Sequence, residues 1–138
     1  MTTTCRGECL CGAVSFEMSG SIDGFFLCHC RRCRKDTGSA HAANLFSANA
    51  TLIWTTGKDL VRTFRLPGTR HQKSFCSTCG SAVPSIDADS GLVTVPAGCL
   101  DSPVSRRPDA HICCADRAEW DRQLEQIPTL AGLPGASR

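Results

Sequence analysis

The stretch "CHCRRCRK", Cys28 to Lys35, brings three cysteines and four basic side chains into eight positions. Cys28 and Cys30 share one face of an extended segment, and Cys33 follows on the next turn of the chain, so three sulfurs can wrap one metal. His29 then points to the opposite face and makes a poor ligand. Three thiolates are one short of a closed tetrahedral zinc site, and three protein ligands with an open position are the pattern of reactive zinc. Three thiolates leave such a zinc with a net charge of about −1, which makes it a weak Lewis acid. It is better suited to binding an incoming thiol and lowering its pKa. Arg31, Arg32, Arg34 and Lys35 would offset the added charge and grip carboxylates on the thiol's carrier. Two other readings compete. One is a second structural zinc, closed by a distant Cys99, Cys5, Cys113 or Cys114; the other is a metal-free reactive thiol on a basic background.

Four further cysteines form two arms. "CLCG" carries Cys9 and Cys11, and "CSTCG" carries Cys76 and Cys79. Cys-x-x-Cys followed by Gly is a zinc-knuckle signature, and Cys-x-Cys presents two sulfurs on one strand face. Together the arms supply four thiolates, enough to close a structural zinc that clamps the N-terminal strand to a distant hairpin. The bland alternative is four buried free thiols, which the twofold pairing with glycine behind disfavours. Cys5 and Cys99 have no close partner and read as buried. Cys113 and Cys114 are adjacent, a poor geometry for one metal, and read as core residues. His41 and His71 lack a local motif; either could line a pocket, but the favoured reading is a structural or surface role, and His111 falls near a strand.

Composition sets the frame. Eleven of 138 residues are cysteine. No secretory signal is evident in Met1–Gly12, and no stretch approaches the roughly 18 apolar residues of a membrane span. A cytoplasmic location follows as the default, and reduced, clustered thiols there are expected to bind metal. Net charge is +2, but the four cations of Arg31–Lys35 leave 11 basic against 13 acidic residues elsewhere. A phosphate-binding groove would extend further and carry more than 6% aromatics, so nucleic acid is an unlikely partner. No Ser/His/Asp triad, Walker loop or dinucleotide motif is present.

The elements that must position these thiols read mainly as strands. "AVSFEM" (13–18) alternates, "FFLCH" (25–29) is a short apolar run, and 51–56, 60–66, 82–86 and 92–98 are β-rich segments between turn residues. Their spacing favours an antiparallel all-β fold of one domain, with a core over about 5–128 and a flexible tail over 129–138. One short helix is expected from Arg31 to Asp36, stopped by Gly38. A second is expected from Asp116, a capping residue with Glu119 three positions on, to Pro128, with Ala118, Trp120, Leu124 and Ile127 on one face.

"GECLCGAV", "CHCRRCRKDTGS", "FCSTCGSAV", "PAGCLD" and "HICCADRAEW" follow in the order of a known family. The chain resembles the glutathione-dependent formaldehyde-activating enzymes, which include centromere protein V, over roughly Gly7 to Pro128. The resemblance implies a β-tent of small antiparallel sheets around zinc, with one or two short helices. It implies a structural zinc on Cys9, Cys11, Cys76 and Cys79, and a second, catalytic zinc on Cys28, Cys30 and Cys33. It implies a carbon–sulfur lyase that joins glutathione, as co-substrate, to formaldehyde or another small electrophile. The alternative is a non-enzymatic zinc-binding module for protein or nucleic acid. His41 departs from the family pattern, which expects an apolar or aromatic residue there.

Overall fold

The computed structural model describes residues 3–135. Three small sheets share the chain. The first orders β1 (Thr3–Glu8), β2 (Ser15–Gly20) and β5 (Thr51–Thr56), all antiparallel. The second orders β11 (Ala110–Ile112), β3 (Gly24–Cys28), β4 (Ala42–Ser47), β10 (Val93–Pro96) and β9 (Ser85–Ile86). The third orders β6 (Val61–Arg65), β7 (Gln72–Cys76) and β8 (Ala82–Val83). The expected strand over 82–86 divides at Pro84, which has no N–H to give a ladder and sends Ser85–Ile86 to another sheet. β11 pairs parallel with β3, the one departure from antiparallel order among the described strands.

Alternation builds the main core. Phe16 and Met18, two apart on β2, face Phe25, Leu45, Val93 and Val95 of the second sheet, with Cys5 of β1 buried beside them. Cys5 is therefore a core residue, as expected. A second, smaller core gathers Cys9, Val14, Cys76 and Val83 against Trp54, Leu60 and Val61.

α1 spans Arg31–Thr37 and ends on Gly38, as the sequence indicates. The helix expected from Asp116 does not form. The described chain there makes 3-10 turns at Cys114–Asp116 and Leu124–Gln126, separated by left-handed Gln123. The apolar periodicity has no surface to meet: Trp120 is 65% exposed and Ile127 58%, so the face buries too little to hold a helix. Leu130 and Leu133 of the tail are also exposed, and residues 136–138 lie outside the described chain. No described helix is long and apolar enough to cross a membrane.

Asp109 ties the segment before β11 to β3. Its Oδ2 accepts the Phe25 N–H at 3.0 Å and Arg106 Nη2 at 2.9 Å, while Arg106 Nη1 donates to the Ile22 carbonyl at 2.6 Å. The Phe25 N–H, then the Arg106 guanidinium, hold the Asp109 carboxyl below its ordinary range. A folded pKa below the unfolded one stabilises above the unfolded value and is lost as pH falls through the folded value. Asp109→Asn should therefore melt lower than the parent at neutral pH. The gap should close as pH drops below about 4, which thermal melts across an acid series will read.

Candidate metal centres and the clefts beside them

Cys9, Cys11, Cys76 and Cys79 converge, with one sulfur from each within 4.8 Å of every other. The Cys9–Cys11 and Cys11–Cys76 sulfurs stand 3.6 and 4.0 Å apart. A tetrahedron of thiolates around zinc has edges of about 3.8 Å, so the four fit that ion. Two tight turns build the site. Gly12 N–H donates to the Cys9 carbonyl at 3.1 Å, and Gly80 N–H to the Cys76 carbonyl at 2.7 Å. Backbone N–H groups also aim at sulfur, Val14 at Cys9 (3.2 Å) and Thr78 at Cys76 (3.4 Å). Leu10 N–H donates to Ser81 Oγ at 2.9 Å and joins the arms.

The cluster already divides charge among its thiols. The Ser81 hydroxyl and N–H, with the Cys11 N–H, pull Cys79 down to about 5. Cys76 is also lowered, chiefly by the Cys79 N–H. Cys11 receives the Ala13 N–H, but burial and the neighbouring thiols outweigh it and push Cys11 up to about 11. A cation would let all four ionise together.

The second cluster is Cys28, Cys30 and Cys33, again with sulfurs within 4.8 Å of one another. β3 ends on Cys28, and Cys30 caps α1 with its Sγ 3.3 Å from the Cys33 N–H. Burial alone would raise Cys30, but the Cys33 N–H and the neighbouring thiols bring it below the ordinary thiol range. Burial drives Cys33 strongly up and Cys28 up as well. The three thiols differ in how easily they ionise, and a divalent cation bound among them would favour the thiolate form of all three. Each cluster could hold a metal ion, and all-thiolate ligands are consistent with zinc.

His29 points away from these sulfurs, as expected from its place between them. It is fully buried, its Nε2 2.8 Å from Nδ1 of His111 on β11 and its Nδ1 3.1 Å from Asp121 Oδ2. Burial, then the Arg117 charge, lower its pKa, with Asp121 opposing. The His41 ring lies 5.1 Å away, centroid to centroid. Arg117 Nε donates to the same Asp121 oxygen at 3.2 Å. These residues brace the end of β3 and so hold the thiols in place. Asp121 gave no sequence signal, because its partner lies 92 positions upstream.

Two clefts flank the second cluster. One, of about 540 Å³, is walled by Cys28, Cys33, Asn44, Arg70, His71 and Gln72 among others. His71 Nε2 bonds Asp36 Oδ2 at 2.7 Å, and Lys73 pairs with the other Asp36 oxygen at 2.9 Å. The sequence favours a structural or surface role for His71 and does not single out Arg70, since only the fold brings β7 against α1. The other cleft, of about 610 Å³, is lined by Arg31, Arg32, Lys35, Phe64 and Leu66 and shares Asp36 and His71 with the first. The basic cluster thus faces an adjoining groove. Arg34 turns aside and lines a third hollow with Trp120. Cys99 is half-buried, donates to the Pro96 carbonyl at 3.0 Å and is pushed up to about 12 by burial. Cys113 and Cys114 correct the expectation of core packing: both are exposed, on the turn that follows β11.

No curated protein matches the chain. A solved Rhodobacter sphaeroides protein, a structural-genomics target, superposes with a TM-score of 0.54 at 20% identity, over 77% of this chain and 98% of that one. At that identity the likeness speaks for the fold. The family profile described as "Glutathione-dependent formaldehyde-activating enzyme" matches residues 4–116, which include all seven clustered cysteines. The chain belongs to the glutathione-dependent formaldehyde-activating enzyme family.

Proposed function

We propose that the chain is a carbon–sulfur lyase that adds the glutathione thiol to formaldehyde or another small electrophile. The observation that carries this reading is the three-thiol cluster at the wall of a cleft, with Cys28 and Cys33 beside Arg70 and His71. Zinc bound by Cys28, Cys30 and Cys33 would offer a fourth position to a thiol and lower its pKa. Arg70 in the cleft, with Arg31, Arg32 and Lys35 in the adjoining groove, supplies cations for the two carboxylates of glutathione. In the reaction the thiol sulfur bonds to the carbonyl carbon and the π pair moves to oxygen. That oxygen then takes up the proton the thiol has lost. His71, anchored by Asp36, is the cleft residue suited to carry that proton.

Cys28→Ser should stay folded, keep one zinc and bind glutathione at least about tenfold more weakly, as lost metal-site groups commonly do. Calorimetric titration with glutathione, beside metal analysis, reads both. A Cys28→Ser chain that unfolds as readily as Cys9→Ser would reject the open site in favour of a second structural zinc. Neutralising Arg31, Arg32 and Lys35 should also weaken glutathione binding while sparing the melting temperature. Unchanged affinity would remove these cations from the site.

A further inference from the structure

The parallel pairing of β11 with β3 sets Ile112 opposite Cys28, and His29 N–H donates to the Ile112 carbonyl at 2.9 Å. The next residue is Cys113. It leaves the ladder in the left-handed conformation, φ 56° and ψ 39°. Among described non-glycine residues, only Cys113 and Gln123 have positive φ. L side chains enter that region at a cost and persist there when their surroundings demand it. The turn places the exposed Cys113 one residue beyond the Ile112–Cys28 pair, at the end of β3 where the cluster begins. Cys33 is buried, and Cys28 and Cys30 are half-buried. Cys113 is thus an exposed thiol at the margin of a three-thiol cluster, outside its 4.8 Å circle and next in the chain to the residue that pairs with Cys28.

We propose that Cys113 is an exchangeable fourth ligand for the Cys28, Cys30 and Cys33 metal site, seated while the cleft is empty and displaced by an incoming substrate thiol. This rests on the open-site reading above and gives the open position a resting occupant. The three cluster cysteines are held by strand end, helix cap and burial. Cys113 is held by a strained, exposed turn, so it is the ligand most easily released. In the exchange Cys113 gives up its metal–sulfur bond as the substrate sulfur forms one. The proton lost by the substrate thiol passes to the departing Cys113 thiolate, so charge and protons balance.

The test uses the fully metallated chain and Cys113→Ser, with Cys113→Asn as a second variant because asparagine tolerates left-handed backbone. Cys114→Ser is the control. Release of the more labile zinc to a chromogenic chelator should be about tenfold faster or more in both Cys113 variants, and unchanged in Cys114→Ser. In the cobalt-substituted protein, sulfur-to-metal charge-transfer absorption should fall in the Cys113 variants. Saturating glutathione should erase both differences. Equal release and equal spectra without glutathione would overturn the role of Cys113, even if glutathione still perturbs the site. A difference that persists under glutathione would make Cys113 a permanent ligand, and would overturn the exchange together with the open-site reading.

Discussion

Cys76→Ser is expected to destroy the fold, and chelation of tightly bound zinc is expected to do the same to the parent chain. The four sulfurs of Cys9, Cys11, Cys76 and Cys79 join the turn after β1 to the β7–β8 hairpin. The β6–β7–β8 ladder aside, that region has little core of its own. Its apolar core comprises four buried residues, two of them ligands. Structural zinc sites contribute about 10–16 kcal/mol in small peptides at neutral pH, against about 5–15 kcal/mol for the whole stability of a typical domain. Losing one of four thiolates therefore removes a sizeable part of the margin. It also leaves the buried Cys9 sulfur without its cation. Circular dichroism melts with and without chelator, beside zinc content, will check this. A Cys76→Ser chain that melts with the parent and keeps the same zinc would show that the cluster does not hold the fold.

Gly57→Ala should be the most damaging change outside the ligands. Gly57 follows β5 with φ +74°, where a side chain is strained. A Cβ there would also overlap the Ala13 carbonyl oxygen and stand 2.9 Å from Val14 Cα, both backbone atoms. Ala13 follows the Cys9–Cys11 turn, and Val14 N–H points at Cys9 Sγ. Moving that backbone displaces the ligand turn, so stability and zinc affinity should fall together. Strain and overlap together should cost about 2–4 kcal/mol. Gly68→Ala is the matched comparison. Its φ is +76°, but a Cβ there meets nothing within 4 Å, so it suffers the conformational strain alone, about 1 kcal/mol. Denaturant titration of both variants separates the two terms. Equal losses would show that the Ala13 backbone yields freely.

Both thiol clusters were legible in the sequence because chelating spacings are local. Cys-x-Cys and Cys-x-x-Cys fix their geometry within one turn of chain, whatever the rest of the fold does. Strands with alternating apolar residues, β2 and β5, were legible for the same reason. β4, "AANLFS", and β7, "QKSFC", were not, because their strand character comes from neighbours rather than pattern. The segment from Asp116 misled in the opposite direction. It has helical spacing, but Ala118 and Asp121 are buried while Trp120, Leu124 and Ile127 stay in solvent. The local pattern yielded to the Asp121 contacts with His29 and Arg117. The cleft was hidden for a related reason. His71 and Asp36 are 35 residues apart, and only the meeting of β7 with α1 makes them partners.

The parallel β11–β3 pair also sets an order of assembly. Phe25 and Asp109 meet across 84 residues. At roughly 5–20 residues per second of synthesis, β3 and its thiols wait several seconds for their last neighbour. Antiparallel hairpins such as β1–β2 and β3–β4 can close early, while the brace of His111 and Asp121 arrives near the end. During that interval Cys28, Cys30 and Cys33 stand at an uncovered strand edge. A nascent chain is then most vulnerable to oxidation or mispairing at the site it will later use. Prompt capture of metal by those thiols would protect the chain before its fold is complete.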